Sequence, residues 1–229
     1  MSSLGERVIV CIGFMGAGKS TAAATIAERL GAEAVDVDRA LEKQLGKPID
    51  RVFSEDGEAA FRAAEERLTL ELLEPSGLRV VSLGGGAVMS ARVREALGRH
   101  LVIWLDIAAE EAWERARGSG RPLARDWEAF QRLYAEREPV YAALADVIVP
   151  STRSWGVRQV LEAARDMPAD TKLLWAVTDS GDYPVFVGPG LVTRHGYWPQ
   201  EVPGERFLVS DGARFITGAG LPVDGGMGM

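Results

Sequence analysis

Short apolar runs alternate with longer amphipathic stretches along most of this chain. The apolar runs cover residues 8–12, 34–38, 78–83, 100–106 and 146–150. Between them, apolar side chains recur at helical spacing, and glycine or proline marks most of the ends. Five strands that alternate with helices as far as residue 165 predict an α/β fold of three layers (α/β/α), in which helices cover both faces of a parallel sheet.

The first apolar run leads directly into a glycine-rich loop. Residues 13–20 read GFMGAGKS and match the phosphate-binding pattern G-x-x-x-x-G-K-[ST]. Glycines let backbone N–H groups approach phosphate oxygens, and the N-terminus of the following helix adds unpaired donors. Lys19 can reach the β- and γ-phosphates, and Ser20 can ligate Mg²⁺. The motif therefore predicts nucleotide binding, and a glycine-rich turn without a ligand is the weaker alternative.

The composition and net charge argue against several classes of protein. Hydrophobic residues make up 47% of the chain, the net charge is −7, and Cys11 is the one cysteine. A single cysteine excludes an internal disulfide, and the absence of a long basic run argues against general nucleic-acid binding. No apolar run approaches the roughly 20 residues that span a membrane, and the N-terminus lacks the features of a signal peptide. We expect a cytoplasmic monomer with neither nucleic-acid nor membrane partners.

Two carboxylates end the second predicted strand. Asp36 and Asp38 would point to one face if both lay on that strand, and the carboxyl end of a parallel strand borders the ligand crevice. One carboxylate would then hold Mg²⁺ through water, and the other would engage a hydroxyl group. The alternative is that Asp38 caps the helix predicted over residues 39–45. The spacing alone leaves the two interpretations about even.

Two further segments have the composition of ligand-binding loops. Residues 84–86 are three glycines directly after the third predicted strand, which suggests a close approach of the backbone to a ligand rather than a flexible turn. Residues 118–123 read GSGRPL, which is typical of a hinged lid. An arginine on such a lid, here Arg121, can meet the charge of a transferring phosphoryl group, although a solvated loop has the same composition.

Six segments in this order resemble shikimate kinase, a family of small phosphate-loop kinases of the aromatic amino-acid pathway. They are residues 13–21, 36–38, 56–58 with 61–62, 83–88, 121–123 and 137–141. Only the first is specific by itself, but together they span residues 7–165. The resemblance implies a five-stranded parallel sheet in the order 2-3-1-4-5.

The resemblance also implies a reaction, the transfer of the γ-phosphoryl group of ATP to the 3-hydroxyl of shikimate, with Mg²⁺ as cofactor. Ser20 and Asp36 would serve the metal, and Asp38 would orient or deprotonate the attacking hydroxyl. The implied catalytic residues are Lys19, Asp38 and Arg121. The implied ATP-binding residues are Gly13, Gly16, Ala17, Gly18, Lys19, Ser20, Thr21, Arg115 and Arg121. The implied shikimate-binding residues are Asp38, Arg62, Gly84, Gly85, Gly86 and Arg137, in which the two arginines grip the carboxylate.

Other interpretations remain open at this stage. A lone arginine such as Arg62 is more often ion-paired or solvated than a ligand contact. Another small-molecule kinase, such as a gluconate kinase, would share the phosphate loop, but the two arginines favour a carboxylated acceptor. The third possibility is a non-catalytic nucleotide-binding module. Four intact residues argue against it: Lys19, Ser20, Asp38 and Arg121.

The remainder of the chain does not fit the same family. We predict a kinase-like domain over residues 1–165, a linker with a short apolar strand over 166–182, and an incomplete appendage over 183–229. Residues 183–191 and 206–211 resemble the first strands of 3-dehydroquinate synthase, and residues 213–226 resemble the end of a short-chain dehydrogenase. The functional residues of both families lie outside such fragments, so we expect the appendage to have no active site. Its strands would form a loosely docked hairpin, an intermolecular contact or disorder.

Overall fold

The computed structural model describes residues 7–74, 77–117, 126–151, 156–165, 167, 170–178, 181–189 and 191. Seven strands lie within these ranges. They are β1 (Ile9–Ile12), β2 (Glu33–Asp36), β3 (Arg79–Ser82), β4 (Leu101–Asp106), β5 (Val147–Pro150), β6 (Lys172–Thr178) and β7 (Gly181–Val187). They form one sheet in the order β2-β3-β1-β4-β5-β6-β7, in which β1 to β6 pair in parallel and β7 pairs antiparallel with β6.

Helices connect the parallel strands. They are α1 (Lys19–Leu30), α2 (Val37–Leu45), α3 (Ile49–Glu55), α4 (Gly57–Leu73), α5 (Ala91–Leu97), α6 (Ala109–Arg117), α7 (Trp127–Leu144) and α8 (Val157–Arg165). A short 3₁₀ turn covers Ala87–Met89. The predicted α/β fold and the predicted strand order 2-3-1-4-5 are confirmed for β1 to β5. Within the described ranges, no helix combines the length and the apolar character needed to cross a membrane.

The central position of β1 fixes where a site can form. β1 lies between β3 and β4, and Cys11 of β1 is in register with Ser82 of β3. Because both strands run in the same direction, the loops that follow them leave the sheet at the same edge. The phosphate loop over residues 13–20 and the three glycines over 84–86 are therefore neighbours.

An aromatic cluster packs against the phosphate loop through Phe14. Phe14, which is almost fully buried, meets Phe130 of α7 edge to face with ring centroids 5.1 Å apart, and Tyr134 of the same helix lies at 5.2 Å. Trp113 of α6 packs against Phe130 at 5.1 Å. This packing ties the loop to α6 and α7 and leaves its glycine backbone on the other side. Pro139 lies inside α7, and the helix continues through it.

The sheet continues beyond residue 165. β6 pairs in parallel with β5, with Val147 opposite Leu173, and Leu173 is fully buried. The predicted linker over residues 166–182 thus contains a strand that joins the core, because residues 173–177 are apolar enough to extend it. Lys172 fixes the junction, because its Nζ donates to the carbonyl oxygens of Ala142 and Ala145 at 2.6 and 2.8 Å. The division into domains at residue 165 stays a prediction.

Candidate active site

The phosphate loop owes its shape to glycines in unusual backbone conformations. Gly13 has a φ of 143°, and a Cβ there would lie 2.6 Å from the carbonyl oxygen of Leu105. Gly18 has a φ of 82° and serves as the N-cap of α1, with open space where a Cβ would be. Any side chain at these positions would strain the backbone, and at Gly13 it would also collide. The loop therefore presents backbone N–H groups at a helix N-terminus, which suits an anion.

The side chains of the loop lie around the same opening. The Nζ of Lys19 donates to the carbonyl oxygen of Phe14 at 3.0 Å, so the lysine is folded back over the loop. Ser20 and Thr21 follow in the first turn of α1 and are exposed. Arg115 of α6 donates to the carbonyl oxygen of Gly16 at 3.0 Å and thereby reaches the predicted ATP site. Ala17 is buried beneath the loop.

Asp36 and Asp38 have separate positions, which corrects the expectation that both lie on one strand. Asp36 ends β2 and is the N-cap of α2, since its carboxylate accepts from the backbone N–H of Arg39 at 3.1 Å. Asp38 lies in the first turn of that helix, so the alternative in which Asp38 is the cap is also wrong. The carboxylate of Asp36 also accepts from the hydroxyl of Ser20. The chain turns into a helix two residues earlier than the apolar pattern indicated, because Asp36 can both end the strand and cap the helix.

The glycines over residues 84–86 are enclosed by charged side chains. A Cβ at Gly84 would meet the carboxylates of Asp38, at 2.8 Å, and of Glu65. A Cβ at Gly86 would lie 2.8 Å from the Cζ of Arg62, and one at Gly85 would lie 3.7 Å from the Nη1 of Arg137. None of the three has a positive φ, so glycine is required here for close approach and not for backbone conformation. The structure thus brings all the predicted shikimate-binding residues together.

Of the two arginines in this group, Arg137 stands out because it is buried. Its side chain is only 7% exposed, and its Nε has no hydrogen-bond partner among the described residues. A buried guanidinium with an unsatisfied donor is costly unless an anion compensates it. The charge of Arg137 interacts with the buried carboxyl group of Glu65, so what this point of the site lacks is a hydrogen-bond acceptor for the Nε. A ligand carboxylate would provide one.

Arg62 is held in place by its own helix. It donates to Glu65 at 2.6 Å and to Glu58 at 3.4 Å, and its guanidinium lies over the rings of Phe61 and Phe53 at 5.1 and 6.0 Å. These contacts orient the guanidinium toward Gly86. Arg62 can therefore be ion-paired and still contact a ligand, so the two interpretations of this residue are compatible.

Glu65 is a residue of this site that the sequence reasoning missed. It is 2% exposed and lies between Arg62, Asp38 and the glycine loop. Burial raises the pKa of its carboxyl group, while the charge and hydrogen bond of Arg62 oppose that rise. The signal was present in the sequence, because residues three positions apart on a helix share a face and Arg62 is followed by Glu65.

Cys11 and His100 have structural explanations. Burial raises the pKa of the Cys11 thiol to about 12, so this cysteine does not act as a nucleophile near neutral pH. His100 accepts from the backbone N–H of Val8 at 3.4 Å, and burial lowers its pKa. Arg121, which we predict to close over the phosphates, falls outside the described residues, and its role stays a prediction.

Comparisons with known proteins agree with one another. The family model described as shikimate kinase matches residues 15–165. A protein of Mycobacterium leprae named shikimate kinase is 47% identical over 145 residues, which is 61% of this chain and 72% of that protein. A protein of Thermobifida fusca with the same name is 36% identical over 163 residues, which is 70% of this chain and 94% of that protein.

The fold also matches solved structures. The structure of shikimate kinase from Acinetobacter baumannii in complex with shikimate has a TM-score of 0.61 and is 32% identical. The match covers 68% of this chain and 89% of that structure. Because the family model ends at residue 165, β6 and β7 lie outside the region that it covers.

Proposed function

This chain belongs to the shikimate kinase family, and from that premise we propose how its residues bind and align the two substrates. The activity is that of an ATP-dependent kinase, which transfers the γ-phosphoryl group of ATP to shikimate. This type of reaction demands little covalent chemistry from the protein. It demands alignment of the two substrates, neutralisation of the phosphate charge and exclusion of water.

The observation that carries the proposal is the pair of arginines beside the glycine loop. Arg137 is buried with an unpaired Nε, and Arg62 faces the same loop from another helix. Two planar guanidinium groups suit a planar carboxylate, which each can bind through parallel hydrogen bonds. We therefore assign Arg62 and Arg137 to the carboxylate of shikimate, and the backbone of Gly84, Gly85 and Gly86 to the face of the same molecule.

ATP would bind on the neighbouring loop. The backbone N–H groups of residues 13–18 and the N-terminus of α1 would hold the phosphates. Lys19 would exchange its contact with the carbonyl oxygen of Phe14 for the β- and γ-phosphates, and Thr21 and Arg115 would border the nucleotide. Arg121 would add a further positive charge during transfer.

Ser20 and Asp36 fit a magnesium ion. Their hydroxyl and carboxylate oxygens are in hydrogen-bond contact at the exposed end of the loop, and hard cations of this kind prefer oxygen ligands. We expect Ser20 to ligate Mg²⁺ directly and Asp36 to act through water. When bound, the ion supplies positive charge to the β- and γ-phosphate oxygens.

Asp38 is the residue we assign to the attacking hydroxyl. Its carboxylate lies against Gly84, and the residue is in the first turn of α2. From there it would accept a hydrogen bond from the 3-hydroxyl of shikimate and aim that oxygen at the γ-phosphorus. Orientation of this kind provides much of the rate enhancement in phosphoryl transfer.

An assay of ADP release tests the proposal. The full chain is mixed with ATP and Mg²⁺, together with shikimate, gluconate or no acceptor. We expect rapid ADP release with shikimate, and only the slow background of ATP hydrolysis with gluconate or without an acceptor. Equal rates with gluconate and shikimate would contradict the assignment of the acceptor. The same preparation, assayed as a 3-dehydroquinate synthase, is expected to be inactive.

A further inference from the structure

Tyr141 has no part in the mechanism above, yet it contacts the centre of the acceptor site. It lies in α7 four residues after Arg137, so the two side chains share one face of the helix. It is 2% exposed, and its hydroxyl donates to the carbonyl oxygen of Gly85 at 2.5 Å. Its ring packs beside Trp104 with centroids 6.3 Å apart. The hydroxyl is therefore held at a fixed point below the glycine loop.

The same oxygen also meets Arg137. A phenol group can donate one hydrogen bond and still accept others. The Tyr141 oxygen donates to the carbonyl oxygen of Gly85, and the guanidinium of Arg137 approaches the same oxygen. A Cβ at Gly85 would lie 3.6 Å from the tyrosine oxygen and 3.7 Å from the Nη1 of Arg137, so all three groups converge. Burial raises the pKa of Tyr141 to about 12, against the effect of Arg137, so the hydroxyl remains a donor at neutral pH.

Tyr141 contacts the Gly85 carbonyl and the Arg137 guanidinium, and both depend on other residues to hold them in place. Glycines provide no side chain that could anchor the loop, and the Nε of Arg137 has no partner within the described part of the chain. We propose that Tyr141 is a positioning residue, whose hydroxyl holds the Gly85 carbonyl and the Arg137 guanidinium in the arrangement that binds the substrate carboxylate. This inference rests on the proposed function, because it concerns the same site.

A positioning role predicts a selective loss of affinity. In Tyr141→Phe the ring remains, but the hydroxyl that joins the loop and the arginine is lost. We expect the Kd for shikimate, measured by titration calorimetry on the full chain, to rise about five- to tenfold, which is the usual effect of one lost hydrogen bond. The Kd for ATP should stay within about twofold, since the phosphate loop does not contact this hydroxyl.

Tyr134 provides a matched control on the same helix. Its hydroxyl also donates to a backbone carbonyl, that of Ile107, at 2.9 Å. Tyr134→Phe therefore removes a similar hydrogen bond without touching the glycine loop. We expect it to lower the melting temperature about as much as Tyr141→Phe, while the Kd for shikimate stays within about twofold. If both variants weakened shikimate binding equally, Tyr141 would have only a structural role.

A double-mutant cycle tests whether Tyr141 acts through Arg137. Arg137→Lys keeps the charge but loses the planar fork. If Tyr141 positions that fork, Tyr141→Phe should weaken shikimate binding less than twofold in the Arg137→Lys background. Full additivity would overturn the inference, and so would an unchanged Kd in the single variant. The parent protein separates the two proposals: if it failed to bind shikimate, the proposed function itself would be wrong.

Discussion

The phosphate loop and the glycine loop over residues 84–86 lie side by side at the ends of β1 and β3, but they are built in different ways. The phosphate loop obtains its binding groups from eight consecutive residues, mostly as backbone N–H donors. The glycine loop obtains its charges from side chains of α2, α4 and α7, which are far apart in the chain. The first site is thus complete within one segment, and the second exists only when the helices have packed.

The two loops also differ in how their charges are satisfied. Lys19 already has a hydrogen bond to the carbonyl oxygen of Phe14, and Ser20 has one to Asp36. On the acceptor side Arg62 is paired with Glu65, while Arg137 keeps a buried Nε without a partner in the described structure. The acceptor side therefore keeps a buried hydrogen-bond donor that an anionic ligand can satisfy. Mutations on the two sides should therefore affect different substrates.

The largest effect should follow the loss of the phosphate-loop lysine. Lys19→Ala removes the positive charge that faces the β- and γ-phosphates, and we expect kcat/KM to fall by about 10²- to 10³-fold. The ADP-release assay measures this loss, and Lys43→Ala, at an exposed position of α2, is the control expected to leave the rate unchanged. A decrease of less than tenfold would show that the loop binds phosphate without this side chain.

A smaller and selective effect is expected from Arg62. Arg62→Ala should weaken shikimate binding by about 30- to 100-fold, which corresponds to one lost charge-assisted interaction of roughly 2–3 kcal/mol. ATP binding should change little, because Arg62 does not reach the phosphate loop. Titration calorimetry with each ligand measures both values. Arg67→Ala on the same helix is the control, because Arg67 is exposed. Equal losses for ATP and shikimate would remove the distinction between the two loops.

Glu65 should have a weaker influence that depends on pH. Glu65→Gln removes the negative charge 2.6 Å from the guanidinium of Arg62 but keeps an oxygen that can accept its hydrogen bond, and we expect the KM for shikimate to rise about fivefold. Its raised pKa means that the folded state binds this proton more tightly than the unfolded state, so the group favours folding at low pH and loses that contribution as pH rises above 4.5. The difference in the free energy of unfolding between the parent and Glu65→Gln should therefore decrease as the pH rises from 4.5 through the raised pKa of Glu65.

Glu66, which follows Glu65 in the chain, provides a second test of the pH dependence, because its pKa shift has the opposite sign. The hydroxyl of Ser90 and the guanidinium of Arg92 lower the pKa of Glu66, so its contribution to stability is present above pH 4.5 and is lost as pH falls. Denaturant unfolding of the parent, Glu65→Gln and Glu66→Gln at several pH values should show opposite slopes for the two variants. Slopes of the same sign would contradict the assigned role of burial at Glu65.

The smallest effect on activity should come from Lys172. Lys172→Met removes the hydrogen bonds to the last carbonyl groups of α7, and we expect a loss of stability of about 1–2 kcal/mol. Because β6 is remote from both loops in the sheet order, the KM values for ATP and shikimate should stay within about twofold. Thermal unfolding and the ADP-release assay measure the two quantities. A selective rise in the KM for shikimate would show that β6 influences the acceptor site, which would contradict this prediction.

The contrast between the loops also explains what the sequence could predict. The phosphate loop is a local pattern between a strand and a helix, and the apolar runs predict β1 to β5 as strands. Their order in the sheet was predicted from the family resemblance. On the acceptor side, the glycine loop over residues 84–86 was predicted from the residues, but the pairing of Arg62 with Arg137 came only from a family resemblance, because contacts among α2, α4 and α7 have no signature in any single segment. Glu65 was missed because the sequence shows that it shares a helix face with Arg62 but does not show that this face is buried.

Two other differences arise from tertiary context. Asp38 was placed on the same strand as Asp36, but the capping bond from the backbone N–H of Arg39 to Asp36 starts α2 earlier than the apolar pattern suggested. β6 lies in a range predicted as a linker, because whether a short apolar strand joins a sheet depends on a free edge, which β5 provides. The resemblances of residues 183–229 to other enzymes stay predictions, since most of this range lies outside the described residues.

The central claim is that the two loops hold ATP and shikimate face to face. A crystal structure of the full chain with shikimate and a non-hydrolysable ATP analogue tests it most directly. We predict that the carboxylate of shikimate contacts Arg62 and Arg137, and that its 3-hydroxyl lies next to Asp38 and points at the γ-phosphorus above residues 13–20. A carboxylate bound away from both arginines, or a 3-hydroxyl that points away from the γ-phosphorus, would contradict the claim.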